Sequence, residues 1–270
     1  MTEKTDVLIE PQALADMLDA AELLLVDLCK AETYTQNHIP GAVHIEYSCL
    51  LGGQVPSPGK LPLVEQLSQV FSAIGLTPDK YVVAYDDEGS GKSARLLWTL
   101  HVIGHMRSSV LNGGLIAWAN EGHPLLSDGV TPTPSDYTAH IDCTAHASKE
   151  YILGKLDDDS TQLLDARTVE EYQGTNVRAL RGGHIPGAIN LNWLDTIDRD
   201  NNARLKADTD LQVMLEQCGF AKDKEVITYC QTHHRSAHSY MMLKHMGFDK
   251  VRGYDGSWSE WGNDPSTPIE

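Results

Sequence analysis

Long apolar runs, paired-cysteine motifs and surplus base are all missing from this chain of 270 residues. No stretch approaches the ~20 consecutive apolar residues that a membrane-crossing helix needs, so no membrane partner is expected. Lysine and arginine number 21 against 38 aspartates and glutamates, a net charge of −17. Nucleic acid and anionic lipid are bound through excess base, so neither is an expected partner. The five cysteines, Cys29, Cys49, Cys143, Cys218 and Cys230, are scattered, odd in number and without Cys-x-x-Cys spacing, which argues against a zinc cage and a disulfide framework. There is no His-Glu-x-x-His pattern, and the adjacent His233 and His234, with His238 nearby, would point apart on a turn, so no metal is expected. The start, Met1 to Val7, has neither a basic-then-apolar leader nor an arginine-rich transit character, and a reducing, cytoplasmic location is the expectation.

What the chain does contain is a duplication. His38-Ile39-Pro40-Gly41-Ala42 recurs as His184-Ile185-Pro186-Gly187-Ala188. Around it Leu25-Val26-Asp27-Leu28-Cys29 answers Leu163-Leu164-Asp165-Ala166-Arg167, and Val82-Val83-Ala84-Tyr85-Asp86 answers Val226-Ile227-Thr228-Tyr229-Cys230. Asn112-Gly113-Gly114 before Trp118 likewise answers Tyr254-Asp255-Gly256 before Trp261. A domain-sized period implies two duplicated domains. Ser127 to Asp136, rich in Pro, Ser, Thr and Asp, reads as linker. The expected boundaries are an N-terminal domain over 1–125, a linker over 126–148 and a C-terminal domain over 149–270.

Short apolar runs alternate with helix-period segments in each half. In the second, strands are expected at Leu163–Ala166, Ala188–Leu191, Val226–Tyr229 and Lys250–Gly253, and helices at Ser148–Lys155, Leu211–Cys218 and Ser236–Met246. In the first, helices are expected at Pro11–Ala20, Leu63–Ile74 and Ser93–Ile103. The fold class is therefore α/β, two copies of a mostly parallel sheet with helices on both faces. Such sheets bind ligands at the carboxyl ends of their strands.

Cys230 falls at one of those ends. It closes Val226 to Tyr229 and opens the loop Cys230-Gln231-Thr232-His233-His234-Arg235, with a helical pattern behind. Backbone amides, a helix N-terminus and an arginine would together lower a thiol pKa and cradle an anion, supplying the local positive field that the chain as a whole lacks. A small buried core residue is the competing reading. Comparison of the halves decides against it, because the first half has Asp86 in place of Cys230 and Cys29 in place of Arg167 while keeping the scaffold. The activity is thus assigned to the second domain, with the first catalytically inactive. Asp165, matched by Asp27, reads as a loop organiser in a supporting role, and His38 and His184 as hydrogen-bonding loop residues.

With these residues in place, the chain resembles the tandem rhodaneses, or thiosulfate sulfurtransferases. The resemblance rests on the duplicated segments, the Gly-Gly-x-x-x-Trp and Asp-Gly-Ser-Trp ends, and a cysteine in the second half answered by aspartate in the first. The loop is similar to that of a bacterial subgroup reading Cys-Gln-Thr-His-His-Arg. The resemblance implies a catalytic Cys230 that cycles through a persulfide without a cofactor. It further implies substrate binding by Arg167, and by Arg235, Gln231, Thr232, His233 and His234 of the loop, with thiosulfate as the anionic sulfur donor and cyanide or a thiol as the acceptor. The chain departs from the family at two points. Gln231-Thr232 stands where animal enzymes carry Arg-Lys, and Glu171 stands where a further family arginine is expected.

Three alternatives follow. The mercaptopyruvate branch has a small Gly-Ser/Thr-Gly type loop, unlike this one. A phosphatase or arsenate reductase of the same fold needs five residues between cysteine and arginine, whereas only Gln231 to His234 intervene here. A persulfide carrier handing sulfur to a partner protein needs the same Cys230 as the enzyme.

Overall fold

The computed structural model describes residues 6–270; the first five residues of the start read above for a leader lie outside the described residues. The chain forms two compact units. Unit 1 takes the residues up to Leu50 with Pro62–Asp142 and Asp198–Leu205; unit 2 takes Leu51–Leu61, Cys143–Ile197 and Lys206–Glu270. Each half of the sequence therefore contributes a short segment to the other half's unit. Leu51–Leu61 is tied into unit 2 by Leu61 N–H donating to Asp255 (2.9 Å) and by a Lys60–Glu260 ion pair. Asp198–Leu205 is tied into unit 1 by Arg204 on Glu10 and Glu121 and by Leu205 N–H on the Asn112 side chain. Residues 126–142, read as linker, pack along unit 1: Ser135 N–H donates to Ser72 O, and Ala139 is buried.

Unit 1 runs β1 (Leu8–Ile9), α1 (Pro11–Ala15), β2 (Leu23–Asp27), α2 (Ala31–Gln36), β3 (Val43–His44), α3 (Val64–Ala73), β4 (Tyr81–Tyr85), α4 (Gly91–Val102), β5 (Ser108–Leu111) and α5 (Gly114–Asn120). Its five strands pair in parallel in the order β1-β5-β4-β2-β3. The alternation of side chains along a strand divides the core in two. Leu24, Val26, Val82 and Ala84 pack on one face with Phe71 and Leu96; Leu25, Val83 and Tyr85 pack on the other with Leu14 and Trp118.

In unit 2 come α6 (Lys149–Leu153), β6 (Thr161–Asp165), α7 (Val169–Tyr172) and β7 (Ala188–Asn190); the short strands that follow are β8 (Ile197–Asp198), at the boundary, and β9 (Arg204–Leu205), in the segment of unit 1. The chain ends with α8 (Asp208–Gln217), β10 (Glu225–Tyr229), α9 (Arg235–His245), β11 (Val251–Gly253) and α10 (Ser257–Trp261). The sheet β11-β10-β6-β7 is again all parallel. Ile227 and Tyr229 of β10 pack with Leu163, Trp258 and Trp261, side chains each worth about 1.5–3 kcal/mol when fully buried. The expected strands and helices of the second half all form, most of them within two or three residues of the predicted bounds. No helix among the described residues is long and apolar enough to cross a membrane.

The duplication is repeated atom by atom. Tyr85 OH accepts from Ile39 N–H as Tyr229 OH accepts from Ile185 N–H. Tyr34 OH donates to Ala42 O as Tyr172 OH donates to Ala188 O, and each tyrosine stacks on the loop histidine, His38 or His184. Those histidines reach backbone carbonyls through Nδ1, at Tyr34 and Tyr172. Gly41 and Gly187 follow the prolines with φ of 82° and 74°, the left-handed conformation that a second turn position after proline requires.

Candidate active site

Parallel pairing of β10 with β6 brings Tyr229 beside Asp165, so the residues after both strands emerge at one end of the sheet. There Cys230 begins the loop, 1% exposed, and α9 starts five residues on at Arg235. The loop is held from outside: Trp258 N–H donates to Cys230 O (2.9 Å) and Ser259 N–H to Gln231 O (3.0 Å). With those carbonyls drawn toward α10, loop amides are left to face the thiol. His233 completes the bend with φ of 55°, a conformation rarely taken by a non-glycine residue. Segment Leu51–Leu61 lies on the loop as well; a Cβ at Gly59 would stand 2.2 Å from Thr232 O, so that crossing admits no side chain.

Burial by itself raises the pKa of the Cys230 thiol. The Arg235 charge opposes it, together with hydrogen bonding from the Ser236 hydroxyl, Ser236 N–H and Thr232 N–H, and the thiol is lowered to about 7. At neutral pH a large fraction is therefore thiolate. Ser236 N–H belongs to the first turn of α9, where the helix dipole adds to the effect. Ser236 Oγ also lies 2.8 Å from His233 Nδ1. When the hydroxyl donates to sulfur, its oxygen can accept from His233 Nδ1–H, which orients the serine.

Unit 1 supplies an internal control. Its equivalent loop holds the Asp86 carboxylate, which accepts from Glu88 N–H (3.0 Å) and Ser90 N–H (2.9 Å) on one oxygen and from Ser93 N–H and Ser93 Oγ–H (both 2.9 Å) on the other. Ser90, with φ of 70°, makes the bend that His233 makes in unit 2. The duplicated loop is thus an anion cradle, filled by a fixed carboxylate in unit 1 and offered to the Cys230 sulfur in unit 2. The other buried cysteine, Cys29, is in the opposite field: burial and the carboxylates of Asp27, Asp87 and Asp86 push its thiol far up.

The remaining sequence-predicted residues divide. Arg235 is present and paired, its two terminal nitrogens 2.6 and 2.9 Å from the oxygens of Glu171. Thr232 contributes its backbone amide. Gln231 turns its amide away, donating to Arg178 O (3.0 Å). His234 sits edge-on to Trp193. Arg167, expected to contact the donor, is instead buried and committed: Nε and a terminal nitrogen bind Asp165 at 2.6–3.0 Å, the same terminal nitrogen binds Gly183 O, and the guanidinium lies over Trp258. Asp165 is accordingly the partner of Arg167 at the strand end. In unit 1, where Cys29 replaces Arg167, burial raises the pKa of Asp27. Sequence reasoning anticipated the Ser236 helix start but missed Ser257, whose Oγ accepts from Cys230 N–H (3.2 Å), and the role of Glu171. The duplication repeats Ser236 as well, because Lys92-Ser93-Ala94 and Arg235-Ser236-Ala237 are repeat equivalents.

Comparisons with known proteins agree with this architecture. The family model "Rhodanese-like domain" matches twice, at residues 10–121 and 148–264. The thiosulfate sulfurtransferases of Azotobacter vinelandii and Pseudomonas aeruginosa are each 43% identical over 264 residues, covering 98% of this chain and 97% of theirs. The sulfur carrier protein TtuD of Thermus thermophilus is 32% identical over 87% of this chain and 86% of its own. Among solved structures, the anaerobic ergothioneine biosynthesis enzyme of Chlorobium limicola superposes with a TM-score of 0.89, at 20% identity, over 99% of this chain and 71% of its own, a likeness of fold. With both halves matched by one domain model and relatives alike from end to end, the chain belongs to the rhodanese-like domain family.

Proposed function

We propose that the protein is a thiosulfate sulfurtransferase acting through a persulfide on Cys230. The observation that carries the reading is a buried thiol, lowered to about 7, in a cradle whose copy in unit 1 already holds an anion. The Cys230 thiolate attacks the outer sulfur of thiosulfate; a bond forms between the two sulfurs, and sulfite leaves with the electron pair of the broken sulfur–sulfur bond. Cyanide or a thiol then takes the outer sulfur, and the electron pair returns to Cys230 as thiolate. The amide of Thr232, the first turn of α9 and Arg235 stabilise the anionic sulfur in both states. No step calls for a cofactor. We assign Arg167 and Asp165 to holding the strand end, and Gln231, His233 and His234 to shaping the loop around the sulfur. Five free cysteines fit a reducing, cytoplasmic setting.

The likeness to a sulfur carrier favours a second reading, in which the same persulfide is discharged onto a partner protein. Intact mass separates these outcomes. Incubation with thiosulfate adds about 32 Da, one sulfur atom, at Cys230; cyanide removes it, and Cys230→Ala never acquires it. Slow discharge by cyanide and thiols would favour the carrier. Absence of the adduct in the unaltered protein would remove the thiosulfate reading and direct attention to mercaptopyruvate as donor.

A further inference from the structure

The loop cation is not free to act as a lone positive charge. Glu171 grips Arg235 through two parallel hydrogen bonds of 2.6 and 2.9 Å, the fork-to-fork geometry that fixes a guanidinium in direction as well as position. The carboxylate is itself fixed. Glu171 is the third residue of α7; its N–H donates to Thr168 Oγ1 (3.3 Å), and Thr168 N–H donates back to Glu171 Oε2 (3.2 Å). This reciprocal cap anchors Glu171 to the backbone directly after Arg167, and the side chain is 2% exposed.

The charges around the sulfur then cancel in pairs, Arg167 with Asp165 and Arg235 with Glu171. Of the nearby cations, Arg178 stands more loosely, with Nη1 3.8 Å from Glu171 and the side chain 56% exposed. A donor approaching the Cys230 thiolate accordingly meets loop amides and an arginine whose charge is partly offset by Glu171, rather than a cluster of net positive charge. That arrangement penalises each additional negative charge on the donor, since amide dipoles compensate less charge than a free guanidinium would.

We propose that Glu171 is a positioning and specificity-determining residue, which fixes Arg235 beside Cys230 and, by cancelling its charge, weights the site toward sulfur donors of lower negative charge. The inference rests on the sulfurtransferase reading of Cys230. Glu171 need not touch the donor; it acts through Arg235. Its two effects separate by substitution. Glutamine removes the charge while keeping one acceptor oxygen for the guanidinium, whereas aspartate keeps the charge but draws the carboxylate back by one methylene.

The experiment compares the full-length protein with Glu171→Gln and Glu171→Asp, using a dianionic donor, thiosulfate, and a monoanionic one, benzenethiosulfonate, with cyanide as acceptor. For Glu171→Gln the ratio of kcat/KM for dianion over monoanion rises roughly fivefold or more, chiefly through a lower KM for thiosulfate. For Glu171→Asp the ratio stays within about twofold of the original while kcat falls for both donors, as expected when aim is lost and charge is kept. A ratio unmoved by glutamine overturns the proposal, and so does a ratio moved as far by aspartate. If the glutamine variant does not fold, Glu171→Asn takes its place as the uncharged counterpart of Glu171→Asp, and an equal donor ratio in those two variants overturns the proposal; a purely structural role would scale both donors together with no loss of kcat per folded molecule. Failure of the unaltered protein to acquire sulfur from either donor would instead remove the reading of Cys230, a result distinct from either failure above.

Discussion

Replacing Arg235 and Glu171 together by glutamine isolates what the guanidinium does for the Cys230 thiol. Removing Arg235 alone would strand Glu171 as a buried unpaired carboxylate, a defect costing roughly 3–5 kcal/mol that would obscure the result. The double change deletes both charges and leaves two amides able to hydrogen-bond. In the unaltered protein burial raises the thiol pKa, and Arg235, ahead of the Ser236 and Thr232 donors, brings it to about 7. Without the guanidinium, burial is opposed only by the hydrogen bonds, and the thiol rises from about 7 toward its ordinary value. Each pKa unit of rise corresponds to about 1.4 kcal/mol, and a full return of about two units would take the thiolate fraction at neutral pH from about one half to about one in a hundred.

The sign of the pH effect follows from the chemistry. Sulfur alkylates as thiolate, so the rate rises as pH passes through the pKa, and the rising limb moves to higher pH in the double variant. Iodoacetamide labelling from about pH 5 to about pH 10, read on the peptide carrying Cys230, gives both midpoints. Reading that peptide alone matters, because Cys49 and Cys143 are exposed and will also label. Near pH 7 the double variant labels Cys230 more slowly, by up to about fiftyfold for a full return, with little difference at the alkaline end. A midpoint that stays near 7 would mean that the thiol owes its acidity to amide and hydroxyl donors, and Arg235 would need another role.

Arg167→Ala strands Asp165 in the core and should destabilise the protein by roughly 3–5 kcal/mol in a urea titration. Its residual activity, normalised to folded protein, should retain the thiosulfate KM, because Arg167 is spent on Asp165 and Gly183; a KM raised tenfold with stability intact would restore it as a donor contact. Asp86→Ala leaves three backbone amides and a hydroxyl of unit 1 without their acceptor and should cost roughly 2–4 kcal/mol of stability. Its loss should not lower the rate of persulfide formation on folded molecules, and a lower rate would mean that the unit 1 loop takes part in the chemistry.

Why the site was only partly legible in the sequence follows from the distances involved. Cys230 could be found because the thiol, its loop and the helix behind it are contiguous, and because the duplication sets Asp86 against it. The pairing of Arg235 with Glu171 spans 64 residues and exists only once β6 and β10 lie side by side. The sequence marked Glu171 as an arginine position of reversed sign, but not as the partner of the loop arginine. Arg167 was hidden in another way: its side chain folds back on Asp165, two residues away, and nothing in a strand-end Asp-x-Arg tells an outward guanidinium from an inward one. The turns of helix at α2, α5, α7 and α10 span 4–7 residues, too short for a 3.6-residue periodicity to register. Two of them, α7 and α10, carry the clamp on Arg235 and the bonds that hold the loop carbonyls. What distinguishes the second cradle is consequently not the loop sequence alone. In unit 1 the cradle closes on its own carboxylate, whereas in unit 2 elements distant in sequence hold an equivalent loop around the Cys230 thiol.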